Sequence, residues 1–271
     1  DNPKRIVPPG LNAAIKASKG DIIMRLDAHA SYPNNYFSSL EKYLKESEAE
    51  NVGGVCITLP PDNTAKSKAI AAVLSSKFGM GNSSFRVGSS KCCEVDTVPF
   101  GCWHKELFDK IGLFDEDLIR NQDDEFNGRI RKHGGRIILY PDIEIKYFGR
   151  DSIGKLAKMF YQYGLFKPLV NKKLGAPATI RQFFPFALVI GLIVGLIISV
   201  LWHAFSLIYF IGIIIYLLLS LISSINSGGS ISKILIQTIC YPVVHLSYGW
   251  GYLVGLWKLL NKKTFNAKSN H

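Results

Sequence analysis

From Phe183 to the last residue the sequence contains no Asp or Glu. A water-facing domain surface carries charges of both signs, so this absence excludes an ordinary solvated domain and leaves long apolar runs suited to a bilayer. The five cysteines, Cys56, Cys92, Cys93, Cys102 and Cys240, are odd in number and lack paired CxxC spacing. That excludes a cysteine-based zinc site, and a reducing compartment fits. Cys92-Cys93 reads as a pair of small, buried or half-buried side chains rather than a ligand set. No secretory signal opens the chain, because Asp1-Asn2-Pro3-Lys4-Arg5 is polar and turn-like.

What is present divides into two materials. Residues before Phe183 hold all 21 acidic residues and most of the basic ones, whereas the tail is basic only through Lys233, Lys258, Lys262, Lys263 and Lys268. The net charge of +11 therefore reads as attraction to anionic lipid headgroups, worth about 1 kcal/mol per Lys or Arg near the surface, and no nucleic-acid partner is expected. Strand and helix patterns alternate through the first half. Helices are expected at 11–17, 36–44, 65–75, 105–111 and 126–133, and strands at 21–26, 52–59, 95–100 and 136–140. This alternation favours an α/β domain with a mostly parallel sheet. Gly79-Met80-Gly81-Asn82-Ser83-Ser84 has the composition of a mobile loop over a site.

Two acidic clusters stand at element ends. Leu26-Asp27-Ala28-His29 follows the first strand, and Asn121-Gln122-Asp123-Asp124-Glu125 opens a helix. The first strand runs straight into its acidic motif with nothing upstream to pair with it, so the chain is expected to be a fragment. Leu11-Asn12-Ala13-Ala14-Ile15-Lys16-Ala17, Gly20-Asp21 and Leu26-Asp27-Ala28-His29 with Pro33 resemble the centre of a family 2 glycosyltransferase. Gly101-Cys102-Trp103-His104-Lys105, Phe108, Gly112, Phe114-Asp115-Glu116, Asp123-Asp124-Glu125 and Arg129 resemble its acceptor side in order and spacing. The resemblance covers roughly residues 2–150 and is nearest to the exopolysaccharide, succinoglycan-synthesis-like branch.

That resemblance implies a partial GT-A (Rossmann-like) mixed-sheet domain lacking its upstream nucleotide-binding part. It also implies transfer of a sugar from a nucleotide-diphosphate sugar to a lipid-linked or saccharide acceptor, with inversion. The departing diphosphate then needs a divalent metal, Mn or Mg, and Asp27 and His29 are the candidate ligands. His29 stands where the family commonly has Asp, and imidazole favours Mn²⁺ over Mg²⁺. Asp123 aligns with the base that takes the acceptor hydroxyl's proton. Asn12, Asp27, Trp103, Asp124 and Arg129 complete the expected donor and acceptor contacts, Trp103 by stacking on a sugar ring. The plain structural roles compete with these: a turn cap for Asp27, favourable helix-start acids for Asp123 and Asp124, a core ring for Trp103, and a salt bridge to Glu125 for Arg129. An inactive membrane-bound scaffold or relic is the competing function.

The expected organisation is a glycosyltransferase domain over 1–150, an amphipathic interface segment over 151–182, a transmembrane region over 183–257 and a basic tail over 258–271. Leu156, Phe160 and Tyr163 recur at helical spacing beside Lys155, Lys158 and Lys167, the composition of an interfacial helix. The Gln-X-X-Arg-Trp form of processive synthases is absent. Runs 183–202 and 205–225 are each long enough to span, while 234–257 carries Pro242 and three glycines and is expected to be re-entrant or interfacial, keeping the C-terminus inside. The expected location is a multi-pass protein of the cell membrane with its catalytic part cytoplasmic.

Overall fold

The computed structural model describes residues 2–265; Lys268 and the end of the basic tail lie outside them. The chain opens with α1 (Val7–Ala17), whose prolines at the first turn sacrifice only N–H groups that have no helical partner. Next come β1 (Ile22–Met24), β2 (Ala30–Ser31), α2 (Tyr36–Ser47), β3 (Asn51–Leu59) and α3 (Ala65–Leu74). Two four-residue helices follow, α4 (Lys77–Met80) and α5 (Ser84–Val87), in place of the expected open loop. Then β4 (Cys93–Glu94), β5 (Cys102–His104), α6 (Glu106–Ile111), α7 (Gln122–Lys132) and β6 (Ile137–Phe148) complete the domain.

The sheet is mixed, with the order β1-β5-β3-β6-β2 and β4 also on β6. Only β3 and β6 run parallel; the other four pairings are antiparallel, which corrects the mostly parallel expectation. The strand expected over 95–100 is irregular, because Pro99 has no N–H to give a ladder and Phe100 takes φ +48°. The ladder resumes at β5. β6 runs on to Phe148, past the expected end at Tyr140, with a bulge opposite Gly54-Val55. A Cβ on Gly54 would strike the Ile143 carbonyl there.

Two buried clusters flank the sheet. One joins Ile15 of α1 with Phe108 of α6 and Phe126 and Ile130 of α7, and the other joins Tyr36, Leu40 and Leu44 of α2 with Ile143 and Ile145. Truncating a sealed ring such as Phe126, 1% exposed, costs about 3–5 kcal/mol.

The rest is helical: α8 (Ile153–Leu174), a 3₁₀ turn (Ile180–Gln182), α9 (Phe183–Leu201), α10 (His203–Asn226) and α11 (Ile231–Leu260). Two segments, Ile180–Leu201 and His203–Asn226, are long and apolar enough to cross a membrane, with only 17% and 6% of their apolar windows buried. A core helix of a soluble protein would be mostly buried, so burial does not explain these runs. The segment 234–257, with Gly249-Trp250-Gly251, lies within one continuous 30-residue helix. Its glycines are contact points. A Cβ on Gly251 would meet the Tyr161 carbonyl of α8, and one on Gly164 of α8 would meet the Tyr248 carbonyl of α11. In α8, within the segment expected to be an amphipathic interface helix, Leu156, Phe160, Phe166 and Val170 are buried.

Candidate active site

The turn after β1 and the start of α7 meet over one cavity of about 1430 Å³ lined by Arg25, Asp27, His29, Asp123 and Asp124. Asn121, in the left-handed conformation at φ 61°, ψ 22°, reverses the chain so that α7 begins at Gln122 with its acids in the first turn. There the helix dipole favours negative charge. Its side-chain amide donates to the Tyr163 carbonyl of α8 at 2.8 Å, and Arg120 Nε donates to Gln162 Oε1 at 3.0 Å. Helix α8 thereby fixes where α7 starts.

Arg25 links the two acidic clusters. Its Nε donates to Asp27 Oδ1 at 3.0 Å, its Nη2 to Asp27 Oδ2 at 3.2 Å, and its Nη1 to Asp123. The Arg25 side chain is 7% exposed, against 23% for Asp27 and 37% for Asp123. A bidentate fork holds a carboxylate in one plane and orientation. Burial alone would depress the Arg25 pKa, yet Asp123 and Asp27 raise it, so it stays charged. For Asp123 desolvation at the cavity floor is the largest influence, and Asp27 and Asp124 add to it against the pull of Arg25. The Asp123 carboxyl therefore sits above its ordinary value, which makes its ionised form a stronger base. Tyr32 Oη accepts the Asp27 N–H at 2.7 Å, bracing the turn. Lys167 of α8 donates to Asp124 Oδ2 at 2.5 Å, so neighbouring acids point to different cations.

Of the residues singled out from the sequence, the structure gathers Asp27, His29, Asp123 and Asp124 on the cavity and places three elsewhere. Trp103 is 3% exposed and meets Phe108, Phe114 and Phe126 edge to face at 5.8–6.0 Å. It has no free face for a sugar, which corrects the stacking expectation. Asn12 closes a two-way bond with the Phe114 backbone at 2.8 and 3.0 Å. Arg129 grips Glu125 at 2.7 Å and caps the Leu113 carbonyl at 2.7 Å. Both hold the 111–116 loop, and neither lines the cavity.

The sequence pattern alone did not mark Arg25 or Lys167 as site residues. Arg25 did leave a signal: a cation directly after the apolar run Ile22-Ile23-Met24, two positions before an acid, implies a buried partner. Lys167 left none, because its partner is 43 residues away.

Among the described residues no three His, Cys, Asp or Glu side chains cluster to hold a metal by themselves. Asp27 and His29 line the cavity from the same turn, with both Asp27 oxygens bonded to Arg25, so a divalent cation there would take Asp27 in competition with that guanidinium and draw its other ligands from phosphate and water.

Residues 6–109 match the model for Glycosyl transferase family 2. The chain is 28% identical over 69% of its length to the succinoglycan biosynthesis protein ExoA of Rhizobium meliloti, and it spans only 56% of that protein. It is 29% identical over 95% of its length, and 77% of the relative's, to the dolichyl N-acetyl-alpha-D-glucosaminyl phosphate 3-beta-D-2,3-diacetamido-2,3-dideoxy-beta-D-glucuronosyltransferase of Methanococcus voltae. Among solved structures it is similar to the mannosyltransferase PcManGT from Pyrobaculum calidifontis, determined with GDP-Man and Mn²⁺. The TM-score is 0.50 at 15% identity, covering 94% of this chain and 67% of that one, a likeness of fold.

Proposed function

From the premise that this chain carries a glycosyl transferase family 2 domain on a GT-A fold, we propose that it moves a sugar from a nucleotide-diphosphate sugar to a lipid-linked or nascent-polysaccharide acceptor, with inversion. The observation that carries this reading is the convergence of Asp27, His29, Asp123 and Asp124 on one cavity, from chain positions far apart. The relatives named above, one in succinoglycan biosynthesis and one acting on a dolichyl-linked sugar phosphate, support the acceptor class.

In this reading Asp123 takes the acceptor hydroxyl's proton as that oxygen attacks the anomeric carbon from the face opposite the diphosphate. The bond to the diphosphate oxygen breaks as the new glycosidic bond forms, and the diphosphate leaves with the bonding pair. Asp27 and His29 would hold Mn²⁺ or Mg²⁺, which supplies charge neutralisation to the departing diphosphate. Arg25 keeps both carboxylates aimed, and Lys167 draws Asp124 aside so that a single acid faces the acceptor. Two apolar, outward-facing segments and the basic, acid-free tail support a multi-pass membrane protein with this site on the cytoplasmic side, where nucleotide sugars are made.

The test is Asp123→Asn. Transfer should fall about 10²–10⁴-fold, the usual worth of a positioned base, with donor affinity held. Near-wild-type transfer by Asp123→Asn beside an inactive Asp124→Asn would move the base one residue along. Full transfer by both variants would sink the assignment.

A further inference from the structure

The cavity draws apolar residues from the helices, Leu188 of α9 and Val244 of α11 among them, and from the irregular segment before β5 it draws Thr97, Val98, Pro99 and Phe100. Thr97 is the polar member of that stretch and is only 6% exposed. Its hydroxyl ends a line of buried hydrogen bonds that starts from the backbone of β5. The Cys102 N–H donates to Asn51 Oδ1 at 3.2 Å, Asn51 Nδ2 donates to Asn127 Oδ1 at 2.7 Å, and Asn127 Nδ2 donates to Thr97 Oγ1 at 2.7 Å. Asn51 opens β3 and Asn127 stands on α7, both sealed from solvent. Gly101 leaves space for the first of these amides, since a Cβ there would strike Asn51 Oδ1.

The line can run one way only. A backbone N–H donates and never accepts, so it turns the Asn51 oxygen toward Cys102 and the Asn51 NH₂ toward Asn127. Asn127 passes the same direction on. Thr97 Oγ1 therefore receives a hydrogen bond and keeps its own proton to give, and among the described residues no hydrogen bond uses that proton. A buried donor without an acceptor is costly, so the position suits a ligand oxygen. Asp123 and Asn127 stand four residues apart on α7, and such neighbours share a helix face with Cβ atoms about 5–6 Å apart. The same segment reaches the acid bridge from its other end, because the Arg25 guanidinium lies 5.9 Å from the Phe100 ring. Thr97 thus meets the cavity next to the Asp27–Arg25–Asp123 bridge.

We infer that Thr97 is a specificity-determining residue: its hydroxyl, aimed by Asn51 and Asn127 as positioning residues, donates a hydrogen bond to a hydroxyl oxygen of the donor's sugar and so selects which sugar is transferred. This deepens the proposed transferase reading and rests on it for the ligand being a nucleotide-sugar; the direction of the hydrogen-bond line stands on its own geometry. A sugar placed between a diphosphate at Asp27 and an acceptor oxygen at Asp123 lies over the bridge that Arg25 makes, which is where segment 97–100 enters. Beside three acids a neutral O–H suits a neutral sugar oxygen, and Val98 and Pro99 give the ring's C–H face an apolar surface.

The experiment measures equilibrium binding of GDP-mannose, UDP-glucose, UDP-galactose and UDP-N-acetylglucosamine to the purified full chain with Mn²⁺, each against its own nucleotide, GDP or UDP. The gain in affinity of nucleotide-sugar over nucleotide is the sugar's share. Wild type should show a gain for at least one sugar, and Thr97→Val, which keeps the shape and deletes the donor, should cut that gain about tenfold with nucleotide affinity held. Thr97→Ser should keep it. Asn127→Asp tests the direction of the line: its carboxylate still accepts from Asn51 but has no N–H for Thr97, so it takes the Thr97 proton itself, and the gain should fall as in Thr97→Val although the hydroxyl is present. Retained nucleotide affinity shows that each variant is folded. No gain in wild type, an unchanged gain in Thr97→Val or in Asn127→Asp, or an equal fall of nucleotide and nucleotide-sugar affinity in Thr97→Val overturns the inference. An Asp123→Asn protein that transfers normally, with the gain still lost in Thr97→Val, would refute the proposed catalysis and leave the role of Thr97 standing.

Discussion

The two walls of the cavity are held in place by different physics. On the sheet side, Arg25 clamps Asp27 and Asp123 and Lys167 clamps Asp124, so position is set by directional, charge-assisted bonds. On the helix side, α11 is seated on α8 and α9 by glycines that let backbone touch backbone at Gly164, Gly249 and Gly251. Small residues at crossings are the ordinary means of packing helices where hydrocarbon offers no hydrophobic drive. The contrast also separates the long apolar helices from one another. Segments α9 and α10 leave Ile197, Val200, Ile208 and Ile215 outward, while α8 and α11 spend their glycines and aromatics on each other. Hydropathy alone does not decide which of these helices stays exposed; the ability of two backbones to approach does.

The contrast predicts that changes in the sheet wall alter chemistry while changes in the helix wall alter folding. The largest effect belongs to Asp27. Asp27→Ala should abolish Mn²⁺-dependent binding of the nucleotide-sugar, read by calorimetric titration, with about 1–3 kcal/mol of stability lost because it breaks the pair with buried Arg25, whereas His29→Asp should retain binding and shift preference toward Mg²⁺. Unchanged metal-dependent binding in Asp27→Ala would remove that residue from the donor site.

Next is Gly251→Leu. Its side chain would be driven into the Tyr161 carbonyl, at a cost of about 3 kcal/mol or more. Thermal melts in detergent should show a large loss, whereas Gly212→Leu on α10, where a Cβ meets nothing within 4 Å, should melt like wild type. Equal melts for the two would break the distinction between the helix pairs.

Arg25→Gln lies between the two classes. Removing one partner of a part-buried pair should cost about 1–3 kcal/mol, less than a sealed pair because both acids keep some exposure. Its sharper signature is the pH profile. Asp123 must be ionised to act as base, so activity rises as pH climbs through its pKa, which already lies above the usual carboxylate value. Arg25 is the influence that lowers that pKa, and without it the acidic limb should move to higher pH. An unmoved limb would mean that another group controls it.

The smallest effect is expected from Trp103→Phe. The ring lies in the aromatic cluster behind the site, so about 1–2 kcal/mol of stability should be lost and acceptor KM should hold. A raised acceptor KM at normal stability would return Trp103 to the sugar.

Much of this is legible in the chain. The acid clusters stand at element ends, and turn chemistry fixes such positions locally, so Asp27 and Asp123 stand out without any knowledge of how they meet. The segment 95–100 reads as a strand yet does not form one, because its apolar pattern carries no information about the ladder donor missing at Pro99 or the φ of +48° at Phe100. Trp103 and Arg129 are ambiguous for a related reason: an aromatic or a cation one turn from an acid has the same pattern in a core as in a site.

Composition alone determined that an acid-rich α/β part is joined to an acid-free apolar part, because local periodicity and charge survive without any fold. Only the tertiary structure decided that one guanidinium joins both acid clusters and that glycines in α11 are contacts rather than breaks. Each of those depends on which distant surfaces touch, and contact between residues far apart in sequence is set by global packing, which no local pattern encodes.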